Sequence, residues 1–306
     1  MGNINLKERL TPRHLWAILL LLSSGILSMF VGGCGSKQST ITVRPGKSIQ
    51  AAIDATPAGA EILLPAGEWQ ENLTITKSLI LRGEGADKTR IRAYQADAAV
   101  IGVDGRGEKG VEVVLAGLTL TGTVKSPGAL FLVGDNAHVT VTQCTLSENA
   151  AGILLLGSSQ ATIALSTFSK NDFDGIVLGE SSQAAITGCT VSENNRYGIY
   201  LVQSSQATIT GCTISGNTDC GIVLMHSSQA TIEDNTILNH NGYGIALMDS
   251  PCFFNTDFAF TGRVTGVGNK IPGPGKPDEN KVSAVCPDGL AFLVTEEGGE
   301  LDQRPQ

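Results

Sequence analysis

The phrase SSQATI returns down the middle of the chain at a fixed interval. It begins at Ser158, Ser181 (as SSQAAI), Ser204 and Ser227, each step being 23 residues. A second phrase keeps the same beat: GIL, GIV, GIY, GIV and GIA begin at Gly152, Gly175, Gly198, Gly221 and Gly244. One repeat of that length, with three short β-like segments, cannot bury a core of its own. It must stack on its neighbours, so the period predicts a solenoid of coils.

Residues 207–225 (ATITGCTISGNTDCGIVLM) show one coil. Ala207 and Ile209 alternate with Thr208 and Thr210, the two-residue period of a strand with one buried face. Gly211 permits a bend, after which Cys212 and Ile214 point inward while Thr213 and Ser215 point out. Gly216-Asn217 supplies a turn, since both residues tolerate left-handed backbone. Gly221 opens a third strand with Ile222 and Leu224 inward, and the SSQ turn returns the chain one level higher. The same frame fits 138–156, 161–179, 184–202 and 230–248. Equivalent residues then stack about 4.8 Å apart, in ladders such as Ile153, Ile176, Ile199, Ile222, Ile245 and Leu155, Leu178, Leu201, Leu224, Leu247.

Such a stack needs covered ends, because bare end strands recruit other chains. Ser48–Ala55 has helical apolar spacing at Ile49, Ala52 and Ile53 with Ser48 as N-cap, and reads as the N-terminal plug. After Ser250 the period stops; residues 251–306 read as a C-terminal cap and tail. The fold class is therefore all-β, a parallel β-helix with three-strand coils and a period of 22–25 residues over 41–250, strict over 138–248.

Lys7, Arg9 and Arg13 precede an apolar run, Leu15–Val31, and then Val31-Gly32-Gly33-Cys34. A basic segment, an apolar stretch and small residues describe a secretory signal over 1–33. The Cys after Val-Gly-Gly resembles a bacterial lipobox, which implies lipidation of Cys34, a linker over 34–40 and membrane attachment through that lipid. Gly35, rather than an Asp, would favour the outer membrane or cell surface in a Gram-negative cell. Cleavage takes the formal charge from −8 to −10, and no Lys/Arg cluster stands out, which excludes nucleic acid as the expected partner.

Six cysteines then remain. Cys144, Cys189 and Cys212 share one repeat position with Ser166 and Asn235, which reads as an inward column of small residues. Cys252 and Cys286, outside the strict repeat, form the plausible disulfide of an extracytoplasmic protein. No Cys or His spacing suits zinc, and neither metal nor cofactor is expected.

Residues 42–85 (TVRPGKSIQAAIDATPAGAEILLPAGEWQENLTITKSLILRGEG) resemble the opening of right-handed parallel β-helix proteins of the pectin lyase-like superfamily, and the later coils resemble their generic repeats. The resemblance implies a right-handed β-helix. It does not select an activity, since that fold carries lyases, hydrolases, esterases, epimerases and non-enzymes. The chain lacks the Asp-Asp pair and Gly-His-Gly of polygalacturonase-like members, and its lone Asn255-Thr256-Asp257 falls in the cap. It also lacks the paired carboxylates that calcium would need.

Three surface features remain. Directly after the third strand stand Gly157, Glu180, Gln203, His226 and Asp249, one per coil. Glu180, His226 and Asp249 are the candidate catalytic residues, because a carboxylate beside a His supports acid–base work. Met225 and Met248 precede this column, and with His226 they resemble the soft-metal chemistry of periplasmic copper-accessory β-helix proteins. An outward apolar stripe (Leu154, Val177, Tyr200, Val223, Ala246, flanked by Leu156, Val202, Met225 and Met248) is expected to be either a contact surface or a bed for the tail at Phe253–Phe260. Tyr197, Tyr200 and Tyr243 at its edge, with Val223 and Met225, are the candidate binding residues, since Tyr rings stack on sugars. An outward lattice of Thr145, Thr167, Thr190, Thr213 and Thr236 reads as ordinary strand composition.

The strict strands carry almost no Asp, Glu, His or Arg. That favours a lipid-anchored extracytoplasmic β-helix which binds an extended polysaccharide or an envelope protein along its long face without catalysis. The alternative is a carbohydrate-active enzyme, of lyase, hydrolase or epimerase type, acting on a uronate-rich polymer.

Overall fold

Three strands per coil stack into three sheets, as the period predicts; pairing is parallel except at the end of sheet 1, where Gly299–Asp302 runs antiparallel to Arg263–Val267. The computed structural model describes residues 39–107, 110–124, 128–248, 252, 260–271, 285–294 and 299–302, all in the unit Ser39–Gln306. Residues 1–33, expected to be a secretory signal, and Cys34, the expected lipidation site, lie outside these residues. Sheet 1 holds eleven described strands, typified by Gln206–Thr210; sheet 2 holds eight, typified by Thr213–Ser215; sheet 3 holds nine, typified by Ile222–Leu224. The coils wind right-handed.

Register is strict because each residue pairs with its own equivalent. Ile163 pairs with Ile186, Ile186 with Ile209 and Ile209 with Ile232. On sheet 3, Ile176 pairs with Ile199 and Ile199 with Ile222. These ladders are fully buried and form one continuous core from Val43 to Leu293. A slip of one residue would turn every Ile to solvent, so burial itself holds the register. The outward Thr lattice is also in register, Thr145 to Thr167 to Thr190 to Thr213 to Thr236.

All three turns open on a single residue in the left-handed region. After sheet 1 these are Gln143, Leu165, Gly188, Gly211 and Asp234; after sheet 2, Glu148, Lys170, Glu193, Gly216 and Asn239; after sheet 3, Gly157, Glu180, Gln203 and His226. The ten non-glycine residues with positive φ among the described residues all belong to these columns. Each costs about 1–2 kcal/mol relative to ordinary backbone, so each column needs a compensating contact.

Inside the second turn that contact is an asparagine ladder. Asn149, Asn171, Asn194 and Asn217 are buried. Asn217 Oδ1 accepts the N–H of Asn194 at 3.0 Å, and Asn217 Nδ2 donates to the Val191 carbonyl at 3.2 Å. The same pattern links Asn171 to Asn194. Buried backbone groups that the sharp turn takes out of the sheets are thereby satisfied. A shorter ladder runs through the Cys column, where Asn235 Oδ1 accepts the Cys212 N–H and Asn269 Oδ1 accepts that of Asn235. Cys144, Ser166, Cys189 and Cys212 complete that inward column, and the three cysteines are free.

Helix α1 (Ile49–Ala55) covers the N-terminal end. Ser48 Oγ accepts the Ala51 N–H, while Ile49 and Ile53 enter the core. The Glu71 carboxylate adds a second cap, accepting from Ile49 N–H and Gln50 N–H at 2.8 and 3.1 Å. Those are donors that a helix N-terminus otherwise leaves unpaired. One strand escaped the sequence reading: Thr40–Thr42 precedes the helix and pairs with Glu61–Leu63.

At the other end the stack runs past Ser250. Arg263–Val267 pairs in parallel with Gln229–Glu233, and Val285–Cys286 pairs with Ile245–Ala246. A 3-10 helix, Asp288–Val294, places Leu290 and Leu293 in the core. Cys252 and Cys286 are bonded, with Cα atoms 5.6 Å apart. Of Phe253–Phe260 only Phe260 is described, and it joins the main core rather than the outer stripe.

Candidate functional site

The polar column after sheet 3 is built from turn residues. Glu180, Gln203 and His226 adopt φ of 57°, 63° and 56°. Each side chain reaches back one coil to the backbone N–H of its equivalent. Glu180 Oε2 accepts from Gly157 N–H at 2.6 Å, Gln203 Oε1 from Glu180 N–H at 2.5 Å, and His226 Nδ1 from Gln203 N–H at 3.3 Å. Three chemically different residues thus do one structural job, supplying an acceptor to the turn below. Asp249, the third catalytic candidate, lies outside the described residues. The SSQ phrase has the same explanation: Ser182, Ser205 and Ser228 are buried, and Ser205 Oγ and Ser228 Oγ accept the N–H of Val202 and Met225.

The apolar stripe requires a correction. Leu154, Val177 and Tyr200 are half-buried, whereas Val223, Ala246 and Met225 are buried. Val223, Met225 and Tyr197 are therefore no exposed contact surface; of the candidate binding residues, Tyr200 and Tyr243 are half-buried. The reason is a second apolar cluster outside sheet 3, in which Tyr197, Cys220, Val223 and Ala246 pack together with Tyr200, Tyr243 and Met248 against them. The tyrosines read as edge residues are the ones that close over the stripe. Met225 Sδ accepts the Tyr200 hydroxyl at 3.0 Å.

An arginine unnoticed in the sequence organises this cluster. Arg196 follows sheet 2 in the turn that leads to Tyr197. Its guanidinium carbon lies 4.4 Å from the Tyr197 ring centroid and 5.3 Å from that of Tyr200; the two rings are 5.4 Å apart and tilted by 54°. Both distances fall within cation–π range. One coil below, Asp174 pairs with Arg196 at 3.5 Å, and its Oδ1 accepts the Tyr197 N–H at 3.1 Å. Burial raises the Asp174 carboxyl above its ordinary value, and Arg196 only partly counters it. Burial also raises both tyrosines, again partly countered by Arg196. Burial works against the Arg196 charge as well, yet Asp174 and the two rings hold it protonated. The result is a fixed, charge-balanced platform with half-exposed Arg196 and Tyr200 on its surface.

Among the described residues, no group of three or more His, Cys, Asp and Glu is placed to hold a metal. Nor is any helix among them long and apolar enough to cross a membrane.

The architecture defines a right-handed parallel β-helix, and comparison with known proteins agrees. Residues 128–269 match the family described as right handed beta helix region. No curated protein matches the chain in sequence. Among solved structures, it is similar to pectin methylesterase PemA from Erwinia chrysanthemi: 15% identity, TM-score 0.57, covering 84% of this chain and 95% of that one. It is also similar to the pectin methylesterase from Aspergillus niger: 14% identity, TM-score 0.53, covering 85% and 95%. An A-module of a mannuronan C-5 epimerase from Azotobacter vinelandii gives 21% identity and a TM-score of 0.51 over 65% and 68%. The shared property is the fold of the pectin lyase-like β-helix proteins.

Proposed function

We propose that this protein is an extracytoplasmic β-helix that binds an extended polysaccharide at its Arg196–Tyr197–Tyr200 platform without chemical turnover. The observation that carries the reading is the platform itself: half-exposed Tyr200 and Arg196, seated on buried Tyr197 and fixed by the buried Asp174. Rigid aromatic faces suit sugar rings, because little entropy is lost when a ligand stacks on them. The names of the fold's relatives, which refer to pectin and mannuronan, support a polysaccharide as the partner class.

Two further points favour binding over catalysis. Acceptor atoms of Glu180 and His226 already serve the backbone of the coil below. A general acid or base instead needs its atom directed at substrate. Met225, the soft donor of the copper-accessory alternative, accepts from Tyr200. Lipidation at Cys34 belongs to the same proposal and would hold the β-helix at the cell envelope. Metabolic labelling with a radioactive fatty acid tests it: the wild type takes up label, and Cys34→Ser does not.

The binding reading is tested by titrating polysaccharides into the mature protein. Tyr200→Ala should weaken binding about tenfold or more. An unchanged affinity would place the ligand elsewhere.

A further inference from the structure

The turns between sheets 2 and 3 form one longitudinal edge, and it is unlike the other two. Five large apolar residues are conspicuously exposed among the described residues: Tyr94, Val124, Leu165, Phe173 and Val294. Three of them, Tyr94, Val124 and Phe173, belong to this one edge. Phe173 is 52% exposed and Tyr94 71%.

Backbone bonds fix the alignment. Arg196 N–H donates to the Phe173 carbonyl at 3.0 Å, and Asp219 N–H to the Arg196 carbonyl at 2.9 Å. Phe173, Arg196 and Asp219 therefore stand one above another on successive coils, about 4.8 Å apart. Asp174, Tyr197, Cys220 and Tyr243 form the adjacent column, linked through the N–H groups of Gly152, Gly175, Gly198 and Gly221. Tyr94 sits on the same edge four coils nearer the N-terminus, since its strand Thr89–Arg92 lies four places from Thr190–Ser192 in sheet 2. That separation is about 19 Å. Its loop is not loose: Asn72 Oδ1 accepts the Gln95 N–H, Asn72 Nδ2 donates to the carbonyls of Gln95, Ala98 and Ala99, and Val124 N–H donates to Ala96. An exposed ring on a pinned loop is pre-organised for contact.

The charges on this edge select the ligand. Its described cations, Lys170 and Arg196, are already paired with Glu193 and Asp174. Asp97, Glu148, Asp172 and Asp219 add exposed negative charge, on a chain whose formal charge is −8. A uronate polymer would meet net repulsion and, among the described residues of these turns, find no cation without a carboxylate partner. Sugar hydroxyls, by contrast, donate well to carboxylates.

Resting on the polysaccharide-binding reading, we infer that the ligand is an uncharged polysaccharide laid lengthwise along this edge, stacked on Phe173 and the Arg196 platform and reaching Tyr94. The test is calorimetric titration of the full mature protein with two panels of equal length: gluco-, manno- and xylo-oligosaccharides, and oligogalacturonates and oligomannuronates. An uncharged oligomer is expected to bind at least about tenfold tighter than any uronate at low salt, with the gap narrowing as salt screens the edge. Phe173→Ala should lose about tenfold, whereas Tyr94→Ala should weaken only oligomers long enough to span both positions. Both side chains are exposed, so the thermal midpoints of the variants should match the wild type. Tightest binding by a uronate would overturn the uncharged-ligand inference while leaving the polysaccharide reading intact. Saccharide binding indifferent to Phe173→Ala would overturn the edge as the track. No binding from either panel would overturn both.

Discussion

His240 presents Nδ1 to the backbone N–H of Asn217 at 3.2 Å, the place that Asn217 itself fills for Asn194 one coil earlier. The asparagine ladder thus ends on an imidazole, whose Nε2 lies 3.2 Å from the Ile214 carbonyl. Burial lowers the His240 pKa from its ordinary 6.5, and the Ile214 carbonyl beside Nε2 only partly opposes that. The folded chain then resists a proton that the unfolded chain accepts. The His240 contribution to stability is complete above pH 6.5 and is lost as pH falls through the lowered folded value. His240→Asn should restore the ladder and flatten this acid-side loss. Denaturation midpoints measured from about pH 7 down to pH 4 check it; an unchanged acid slope in the variant would refute the assignment.

Within the ladder a truncation should be costly. Asn217→Ala removes the acceptor of the Asn194 N–H and the donor to Val191, leaving both groups buried and unpaired. We expect a loss of about 2–4 kcal/mol in urea unfolding. A loss below about 0.5 kcal/mol would mean that water or a neighbour replaces the side chain.

At the polar turn the outcome should be different. Glu180→Gly relieves the left-handed backbone but loses the bond to Gly157 N–H. The two effects are similar in size and opposite in sign, so stability should change by no more than about 1 kcal/mol. Gly157 already holds the same place one coil below. Saccharide affinity should be unchanged; a large fall would restore Glu180 as a ligand-contacting residue.

The Cys252–Cys286 disulfide spans 34 residues of sequence and ties the last pairing partner of sheet 3 to the chain before it. Loop-closure entropy gives about 3–4 kcal/mol for a ring of that size. The double variant Cys252→Ser/Cys286→Ser should lower the thermal midpoint by several degrees, without altering binding at the Arg196 platform. Equal midpoints would show that the closing segment contributes nothing to the stack.

The repeat made the fold legible because a stacked coil puts like residues together. The Ile and Leu ladders and the Cys column could be read from like residues at a fixed spacing, and the helix capped by Ser48 from its own apolar period and cap. The asparagine ladder carried the same signal at Asn149, Asn171, Asn194 and Asn217, but a turn asparagine was read only as a tolerant backbone residue. The polar column misled for the opposite reason: Glu180, Gln203 and His226 differ chemically, yet each needs only one acceptor atom. Arg196 and Asp174 break the repeat and meet across coils, so no periodic pattern announced them. Alternation correctly placed Val223 and Ala246 on the outer side of sheet 3. It could not show that tyrosines from neighbouring turns would bury them.

The central claim is binding without turnover, and one measurement tests it most directly. The protein is titrated with a polysaccharide by calorimetry, and the same mixture is followed over time for new chain ends, unsaturated sugars or altered sugar configuration. The account predicts saturable heat, an unchanged polymer and loss of the heat in Tyr200→Ala. A time-dependent product that disappears in His226→Ala would contradict it.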